Sequence, residues 1–160
     1  MTLRTARSGE AQLIMNLIHC AFQGRRPQSR PDFSSQSEVE DLIAKGIFLL
    51  AEHEGKLLGC AYLEPNIGAT RLELLAVCPS KQRSGIGSQL LEVAEDLSRR
   101  RECLFMHVRI INVNYPMLKF YRRRGYFQFG IEPMSAESSA LAHSHLVVMC
   151  KQLDKYSHGF

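Results

Sequence analysis

The sequence predicts an α/β fold of the α+β kind, in which a mixed, mostly antiparallel and twisted sheet of about seven strands carries helices on both faces. Three β-rich runs joined by short turns, IFLLAE, LLGCAYLE and RLELLAV, are typical of an antiparallel meander. A strand, a helix and a further strand follow, and this crossover requires at least one parallel pair. The predicted order of elements is β-α-α-β-β-β-α-β-α-β-β.

Length and composition predict one domain covering residues 1–160. The 160 residues are 45% hydrophobic, which is enough to bury a core. A net charge of +4 suits an anionic ligand but is weak for a nucleic-acid binder, so we expect no nucleic-acid partner. Neither a secretory signal nor a membrane span is recognisable, which predicts a cytoplasmic protein without a membrane partner. The five scattered cysteines indicate reduced thiols, and no metal site is expected.

Apolar spacing and capping residues define the elements of the first half. Residues 2–6 are compatible with a short strand. Ser8 is a plausible N-cap for a helix whose apolar positions recur at helical spacing as far as Phe22. A short helix over residues 38–45 is expected to end at Gly46, acting as a left-handed C′ glycine.

The second half is predicted from the same signals. Residues 88–101 form a helix with one apolar face, and CLFMHVRI is the next strand. Pro116 opens another helix, which Gly125 stops. YFQFGIE and HLVVMC are the two closing strands.

A glycine-rich segment, CPSKQRSGIGSQLL at residues 78–91, joins the third meander strand to the long helix. Helix N-termini carry unpaired N–H groups and about half a positive charge, and glycine lets a ligand approach the backbone. Gly85 and Gly87, with Lys81 and Arg83 nearby, therefore predict a pyrophosphate site. The third glycine of a dinucleotide fingerprint and the Gly-Lys-Ser/Thr of a Walker A loop are both missing.

The wider pattern resembles the acetyl-CoA-binding motif of the GNAT acetyltransferase superfamily, V-x-P-x-x-Q-x-x-G-x-G-x-x-L-L. Its positions are Val77, Pro79, Gln82, Gly85, Gly87, Leu90 and Leu91. A second motif, F-Y-x-x-x-G-Y at residues 120–126 with asparagines upstream, is similar to the family's N…Y-x-x-x-G-F segment. Together with the element order, the resemblance covers nearly the whole chain, from residue 2 to residue 153.

The resemblance implies that acetyl-CoA is the co-substrate and assigns residues to it. The amides of the turn would hold the pyrophosphate, at Arg83, Ser84, Gly85, Ile86, Gly87 and Ser88, and the motif residue Gln82 is assigned to cofactor binding with them. In the family the fourth strand splays from the fifth at a bulge and pairs with the pantetheine arm, which implicates Leu75, Ala76 and Val77. The Val77 amide would lie near the acetyl carbonyl. Asn112 or Asn114 would contact the CoA arm, and the sequence leaves that choice open.

Catalytic roles follow in the same way. Tyr121 matches the family tyrosine that assists departure of the CoA thiolate, and a phenol is a proton donor near neutral pH. The general base is open between Glu73, on the fourth strand, and His107, where some family members carry a glutamate. A bound water is a third alternative, because an alkyl amine with a pKa near 10.4 must lose a proton before it attacks.

The implied activity is transfer of an acetyl group from acetyl-CoA to a primary amine, by direct attack in a ternary complex. The alternative is a catalytically silent GNAT-fold module that binds CoA or a protein. The acceptor, a small molecule or a polypeptide, is expected to contact residues 22–37 and 133–145, where Arg25, Arg26 and Arg30 offer positive charge. One of Arg122, Arg123 and Arg124 would reach the 3′-phosphate of CoA. Family members often dimerise, so the resemblance allows a homodimer.

Overall fold

The computed structural model describes residues 1–23, 35–134 and 144–154. Within these residues the elements follow the predicted order: β1 Thr2–Thr5, α1 Ala11–Ala21, α2 Gln36–Lys45, β2 Ile47–His53, β3 Lys56–Asn66, β4 Ala69–Val77, α3 Ile86–Arg100, β5 Phe105–Ile111, α4 Tyr115–Arg122, β6 Phe127–Pro133 and β7 His145–Gln152. A single 3-10 turn, Pro79–Lys81, lies between β4 and α3. No helix in this part of the chain has the length and apolar character needed to cross a membrane.

The strands form a seven-stranded sheet in the order β1-β2-β3-β4-β5-β7-β6. Only β4 and β5 pair in parallel among the described strands, and the other pairs are antiparallel. The crossover from β4 to β5 runs through α3, which explains the parallel pair. The predicted mixed, mostly antiparallel sheet is therefore confirmed.

Two hydrophobic cores lie on opposite faces of the sheet. On one face, α1 and α2 pack against the meander, around Ile14, Phe48, Tyr62 and Leu74. On the other face, α3 and α4 pack around Leu90, Met106, Tyr121 and Met149. Successive side chains of a strand point to opposite faces, so the consecutive buried residues of β2 and β3 supply both cores. The prediction of helices on both faces is confirmed.

The start of α1 differs from its prediction. Glu10 rather than Ser8 is the N-cap residue, and its side chain makes no capping bond. Gly9 has a φ of +92° and turns the chain between Ser8 and the helix. The Glu10 carboxylate is instead held by the Arg4 guanidinium at 2.7 Å. A tertiary contact therefore sets where this helix begins.

Gly46 ends α2 for a different reason than the one predicted. Its φ and ψ are −134° and −154°, an extended conformation open to any residue, so it is not a left-handed cap. A Cβ atom built on Gly46 would lie 2.4 Å from the Leu63 carbonyl oxygen and 2.6 Å from the Tyr62 hydroxyl oxygen. Close packing against β3, and not backbone freedom, requires glycine here.

The start of α3 is two residues earlier than predicted, at Ile86 instead of Ser88. Gly85 occupies the N-cap position with a left-handed φ of +88°, which favours glycine. Ile86 then packs into the core, with 5% of its surface exposed. The glycine turn therefore belongs directly to the first turn of the helix.

Candidate active site

A wedge-shaped cleft opens where β4 and β5 part. Their parallel ladder covers only Ala69–Leu72 opposite Phe105–Val108. Beyond it, β5 continues its pairing with β7, while the rest of β4 pairs with β3 alone. The cleft between them has a volume of about 820 Å³.

A β-bulge lies at the point where the strands part. In the β3–β4 ladder, Tyr62 is opposite Leu74 and Leu63 is opposite Leu72, so Glu73 has no partner of its own. Such an extra residue bends its strand and increases the local twist. The bulge at Glu73 explains why β4 turns away from β5 at this position.

The backbone of β4 beyond the bulge presents alternate groups to the cleft. The Cys78 N–H donates to the Leu58 carbonyl on β3 at 2.8 Å. Hydrogen-bonded and non-hydrogen-bonded pairs alternate along an antiparallel ladder. In this register Ala76 also exchanges hydrogen bonds with β3, whereas Leu75 and Val77 occupy non-hydrogen-bonded positions. Their N–H groups therefore point away from β3, toward the cleft. Ala76 is a correction to the prediction: its backbone faces β3, and its side chain packs in the α1 and α2 core.

The glycine-rich turn forms one end of the cleft. Gln82 Nε2 donates to the Val77 carbonyl at 3.2 Å, and the Ser84 hydroxyl donates to the Lys81 carbonyl. These bonds fold the loop back toward the end of β4. Arg83, with a left-handed φ of +63°, precedes the first turn of α3, which contains no acidic residue. The cleft end is consequently rich in N–H groups and positive charge.

Most of the predicted cofactor residues meet at this cleft. The lining includes Leu75, Val77, Gln82, Arg83, Gly85, Gly87, Ser88, Asn114 and Tyr121, together with the predicted base Glu73. Four predicted residues are not among the lining residues: Ala76, Ser84, Ile86 and Asn112. The Ile86 side chain is in the core, so only its amide can serve a ligand.

The two asparagines before α4 have separate positions. Asn112 is hydrogen-bonded to the backbone of His145, accepting at its Oδ1 from the His145 N–H at 3.1 Å. Asn114 lines the cleft and caps α4, accepting from the Met117 N–H at 3.4 Å. Its amide nitrogen donates to no group among the described residues, so Asn114 is the better placed of the two to meet a ligand.

Tyr121 lies on the face of α4 that borders the cleft. Its ring is buried and packs edge-on against Phe120 and Tyr126, with centroid distances of 5.1 and 5.2 Å. Burial raises the pKa of the Tyr121 phenol well above its usual range, although the charge of Arg124 acts in the opposite direction. In the described part of the chain, no group is hydrogen-bonded to the Tyr121 hydroxyl. The side chain is thus a protonated donor bordering the cleft.

The two predicted bases differ in position. Glu73 borders the cleft, and its carboxylate accepts from Arg109 at 2.8 and 3.1 Å and from Arg71 at 3.0 Å. His107 is not among the lining residues, and its ring lies 5.9 Å from the ring of Phe129 on β6. Met106 and Val108, its neighbours on β5, belong to the α3 and α4 core, so His107 points to the opposite face of the sheet.

The cleft also contains residues that the sequence prediction missed. On α4 these are Met117 and Phe120, which share the side of the helix that carries Tyr121. Spacings of three and four residues along α4 indicate this common face. Arg124, one of the three arginines considered for the 3′-phosphate, follows the end of α4 and also lines the cleft. The opposite wall is formed by Ile110, Ile111 and Leu146, from β5 and β7. Their alternating apolar pattern is that of ordinary strands, so no sequence signal distinguishes them.

The remaining predictions concern the arginines, the acceptor segments and a metal site. Arg25, Arg26 and Arg30, and most of the two acceptor segments at residues 22–37 and 133–145, lie outside the described residues. Arg122, the last residue of α4, and Arg123, its C-cap, are exposed, whereas Arg124 is partly buried in the cleft wall. The described residues contain no group of three or more His, Cys, Asp or Glu side chains arranged to hold a metal ion.

Comparison with known proteins identifies the family. The sequence profile of the acetyltransferase (GNAT) family matches residues 11–126, which is more than half of the chain. The chain therefore belongs to the GNAT acetyltransferase family, as the two sequence motifs predict.

One curated relative is the streptothricin acetyltransferase of Streptomyces lavendulae, which is 28% identical over 120 residues. The match covers 74% of this chain and 63% of that protein, so the chain spans less than two thirds of the relative's length.

Solved structures of low identity share the fold. A ribosomal-protein-alanine N-acetyltransferase from Brucella melitensis has a TM-score of 0.81 and 18% identity, over 96% of this chain and 100% of that one. A GNAT family acetyltransferase from Elizabethkingia anophelis, solved with acetyl-CoA bound, has a TM-score of 0.76 and 17% identity, over 95% of this chain and 97% of that one. The open seven-stranded GNAT sheet is therefore shared across nearly the whole chain.

Proposed function

We propose that this protein transfers the acetyl group of acetyl-CoA to a primary amine, which attacks the thioester directly while both substrates are bound. The observation that carries the proposal is the geometry of the wedge. There β4 turns two backbone N–H groups, those of Leu75 and Val77, away from β3, and Tyr121 borders the same cleft.

The glycine-rich turn is proposed to bind the pyrophosphate of the co-substrate. Gln82 and Ser84 brace the loop, and the left-handed φ angles of Arg83 and Gly85 shape its backbone. Family membership and the acetyl-CoA in a solved structure of the same fold support this assignment. The pantetheine arm would then lie along β4, where β5 has left a free edge.

The chemical step divides between backbone and side chain. The amine nitrogen forms a bond to the acetyl carbon, the carbonyl oxygen gains negative charge, and the C–S bond then breaks. The Val77 N–H stabilises that oxygen, and one such donor is worth about 2.7–4 kcal/mol. The Tyr121 hydroxyl donates a hydrogen bond to the leaving thiolate. Because burial raises the pKa of this phenol far above that of a thiol, the proton stays on Tyr121 and the thiolate takes up its proton from solvent. Glu73, through a water molecule, accepts the proton that the amine loses.

The acceptor is proposed to be a primary amine, with no narrower class assigned. The relatives are named for an antibiotic acceptor in one case and for a protein alanine in another. An assay panel should accordingly include streptothricin, simple alkyl amines and peptides with an N-terminal alanine. Release of CoA thiol in the presence of acetyl-CoA measures turnover on each.

Replacing Tyr121 with phenylalanine tests the mechanism. The ring packing is retained while the hydrogen-bond donor to the thiolate is lost, so we expect kcat to fall about a hundredfold with little change in CoA affinity. Tyr115→Phe is the matched control, because Tyr115 is 72% exposed at the start of the same helix. Equal activity of the two variants would remove Tyr121 from the mechanism. An absence of acetyl-CoA-dependent thiol release by the wild type across the panel would count against the enzymatic function itself.

A further inference from the structure

Arg124 differs from the arginines beside it. It lies seven residues after Met117 on the cleft face of α4 and its following turn, and it lines the cleft. Arg122 and Arg123 are exposed, whereas Arg124 is partly buried. The chain therefore places one of these three consecutive positive charges inside the candidate active site.

The guanidinium of Arg124 is fixed by contacts on three sides. Its Nη1 donates to the Phe120 carbonyl at 2.9 Å, and its Nη2 donates to the Ser88 hydroxyl. The central carbon lies 3.7 Å from the centroid of the Phe120 ring, a cation–π contact. These contacts hold a planar donor group between the end of α4 and the first turn of α3.

No carboxylate compensates this charge within the described residues. Arg4, Arg71 and Arg109 each pair with a glutamate, but none of the observed ion pairs involves Arg124. Its partner Ser88 is the third residue of α3, whose first turn carries no acidic residue. A partly buried cation beside the positive end of a helix is unfavourable unless an anion joins it.

We propose that Arg124 binds the pyrophosphate of the co-substrate, together with the backbone amides of the glycine-rich turn. The inference rests on the proposed function and goes beyond it by assigning a charged side chain to the diphosphate. The 3′-phosphate, the group expected from the sequence for this arginine cluster, is the competing ligand. Contact with the Ser88 hydroxyl places the guanidinium beside the first-turn amides of α3, and this position favours the diphosphate.

Ligands that carry different phosphate groups distinguish binding of Arg124 to the pyrophosphate from binding to the 3′-phosphate. Dissociation constants are measured for CoA, for dephospho-CoA, which lacks the 3′-phosphate, and for pantetheine, which lacks every phosphate. For Arg124→Gln we expect CoA and dephospho-CoA to bind about tenfold or more weakly, by the same factor, because a charged hydrogen bond is lost. Pantetheine binding should be unchanged. The matched control is Arg100→Gln, at an exposed position at the end of α3 that does not line the cleft, and it should bind both nucleotides within about twofold of wild type.

Two results would overturn the inference: equal affinities of wild type and Arg124→Gln for both nucleotides, or a loss confined to CoA, which would assign Arg124 to the 3′-phosphate. If Arg124→Gln does not fold, Arg124→Lys replaces it in the same binding measurements. It keeps the charge but not the two-pronged donor, so we expect a smaller loss that is again equal for both nucleotides. Failure of the wild type to bind CoA would instead contradict the proposed function, which separates the two ideas.

Discussion

At the scale of single residues, Glu73 combines a backbone role with the chemical role that we propose for it. As the bulge residue, Glu73 has no partner on β3, and the bulge lies where β4 separates from β5. Its carboxylate is also bound by the guanidinium groups of Arg109 and Arg71. Charge-assisted bonds of this kind orient a carboxylate strongly. In the proposed mechanism, Glu73 therefore accepts the proton through a water molecule that is bound to the carboxylate lone pairs not used by the two arginines.

Replacing Glu73 with glutamine removes the proposed proton acceptor and retains the side-chain shape. We expect kcat/KM to fall about a hundredfold near neutral pH and to recover partly at alkaline pH, where the amine loses its proton to solvent. The measurement is initial rate against pH. Glu132→Gln is the control, because Glu132 is more exposed and reaches Arg109 at 3.4 Å. A Glu73→Gln rate within about threefold of wild type at every pH would exclude Glu73 as the base.

At the scale of elements, close approach between backbones decides where α2 ends and β2 begins. The junction at Gly46 passes against Leu63 and Tyr62 of β3, with no space for a Cβ atom. This contact fixes α2 over the meander, and Val39 of α2 is fully buried in the same core. A helix end that looks like a simple stop signal in the sequence is thus a packing contact.

The variant Gly46→Ala should therefore be destabilised for a steric reason. We expect the free energy of unfolding to fall by about 1–3 kcal/mol, the range for overpacking, as measured by urea denaturation. Gly130→Ala on β6 is the matched control, because a Cβ atom there meets nothing within 4 Å. Its effect should stay within about 0.5 kcal/mol, the range for surface changes. If the two variants have the same stability, the Gly46 contact does not constrain the fold.

At the scale of the whole molecule, an ion-pair cluster links the edge of the sheet to the helical layer. Arg4 of β1 contacts Glu10, at the start of α1, and Glu52 of β2, with both nitrogen–oxygen distances at 2.7 Å. The hydrogen bond from Arg4 lowers the pKa of Glu10 from 4.5 to about 2. The unfolded chain therefore binds more protons than the folded one between these two values. Stability contributed by Glu10 is complete above about pH 4.5 and is lost as the pH falls toward 2.

The melting temperature of Glu10→Gln against pH tests this linkage. The difference in melting temperature between wild type and variant should be constant from about pH 5 to 8. It should decrease as the pH falls from 4.5 to about 2. Glu92→Gln, at an exposed position on α3, should show no such change in its difference from wild type. If the difference in melting temperature between wild type and Glu10→Gln is independent of pH down to the acid transition, the Glu10 carboxylate does not contribute the pH-dependent stability assigned to it.

Much of the candidate site can be predicted from the sequence. The turn with Gly85 and Gly87 predicts a loop at a helix N-terminus, because glycine placement and capping are local properties. The resemblance to the GNAT motifs implies that Tyr121 and that loop serve the same cofactor, and both border one cleft. By contrast, the choice between Asn112 and Asn114 is not local, since it depends on pairing of Asn112 with His145, 33 residues away.

By itself the sequence determined the order and type of the elements and the family to which they belong. Periodicity, caps and turn glycines act between near neighbours, and such interactions can be recognised along a chain. Only the tertiary structure decided where β4 parts from β5, that Ala76 faces β3, that Gly46 is a packing contact and that Arg124 enters the cleft. Each of these depends on strand register or on contact between distant segments. Neither property can be recognised from the residue types of one short stretch of the chain.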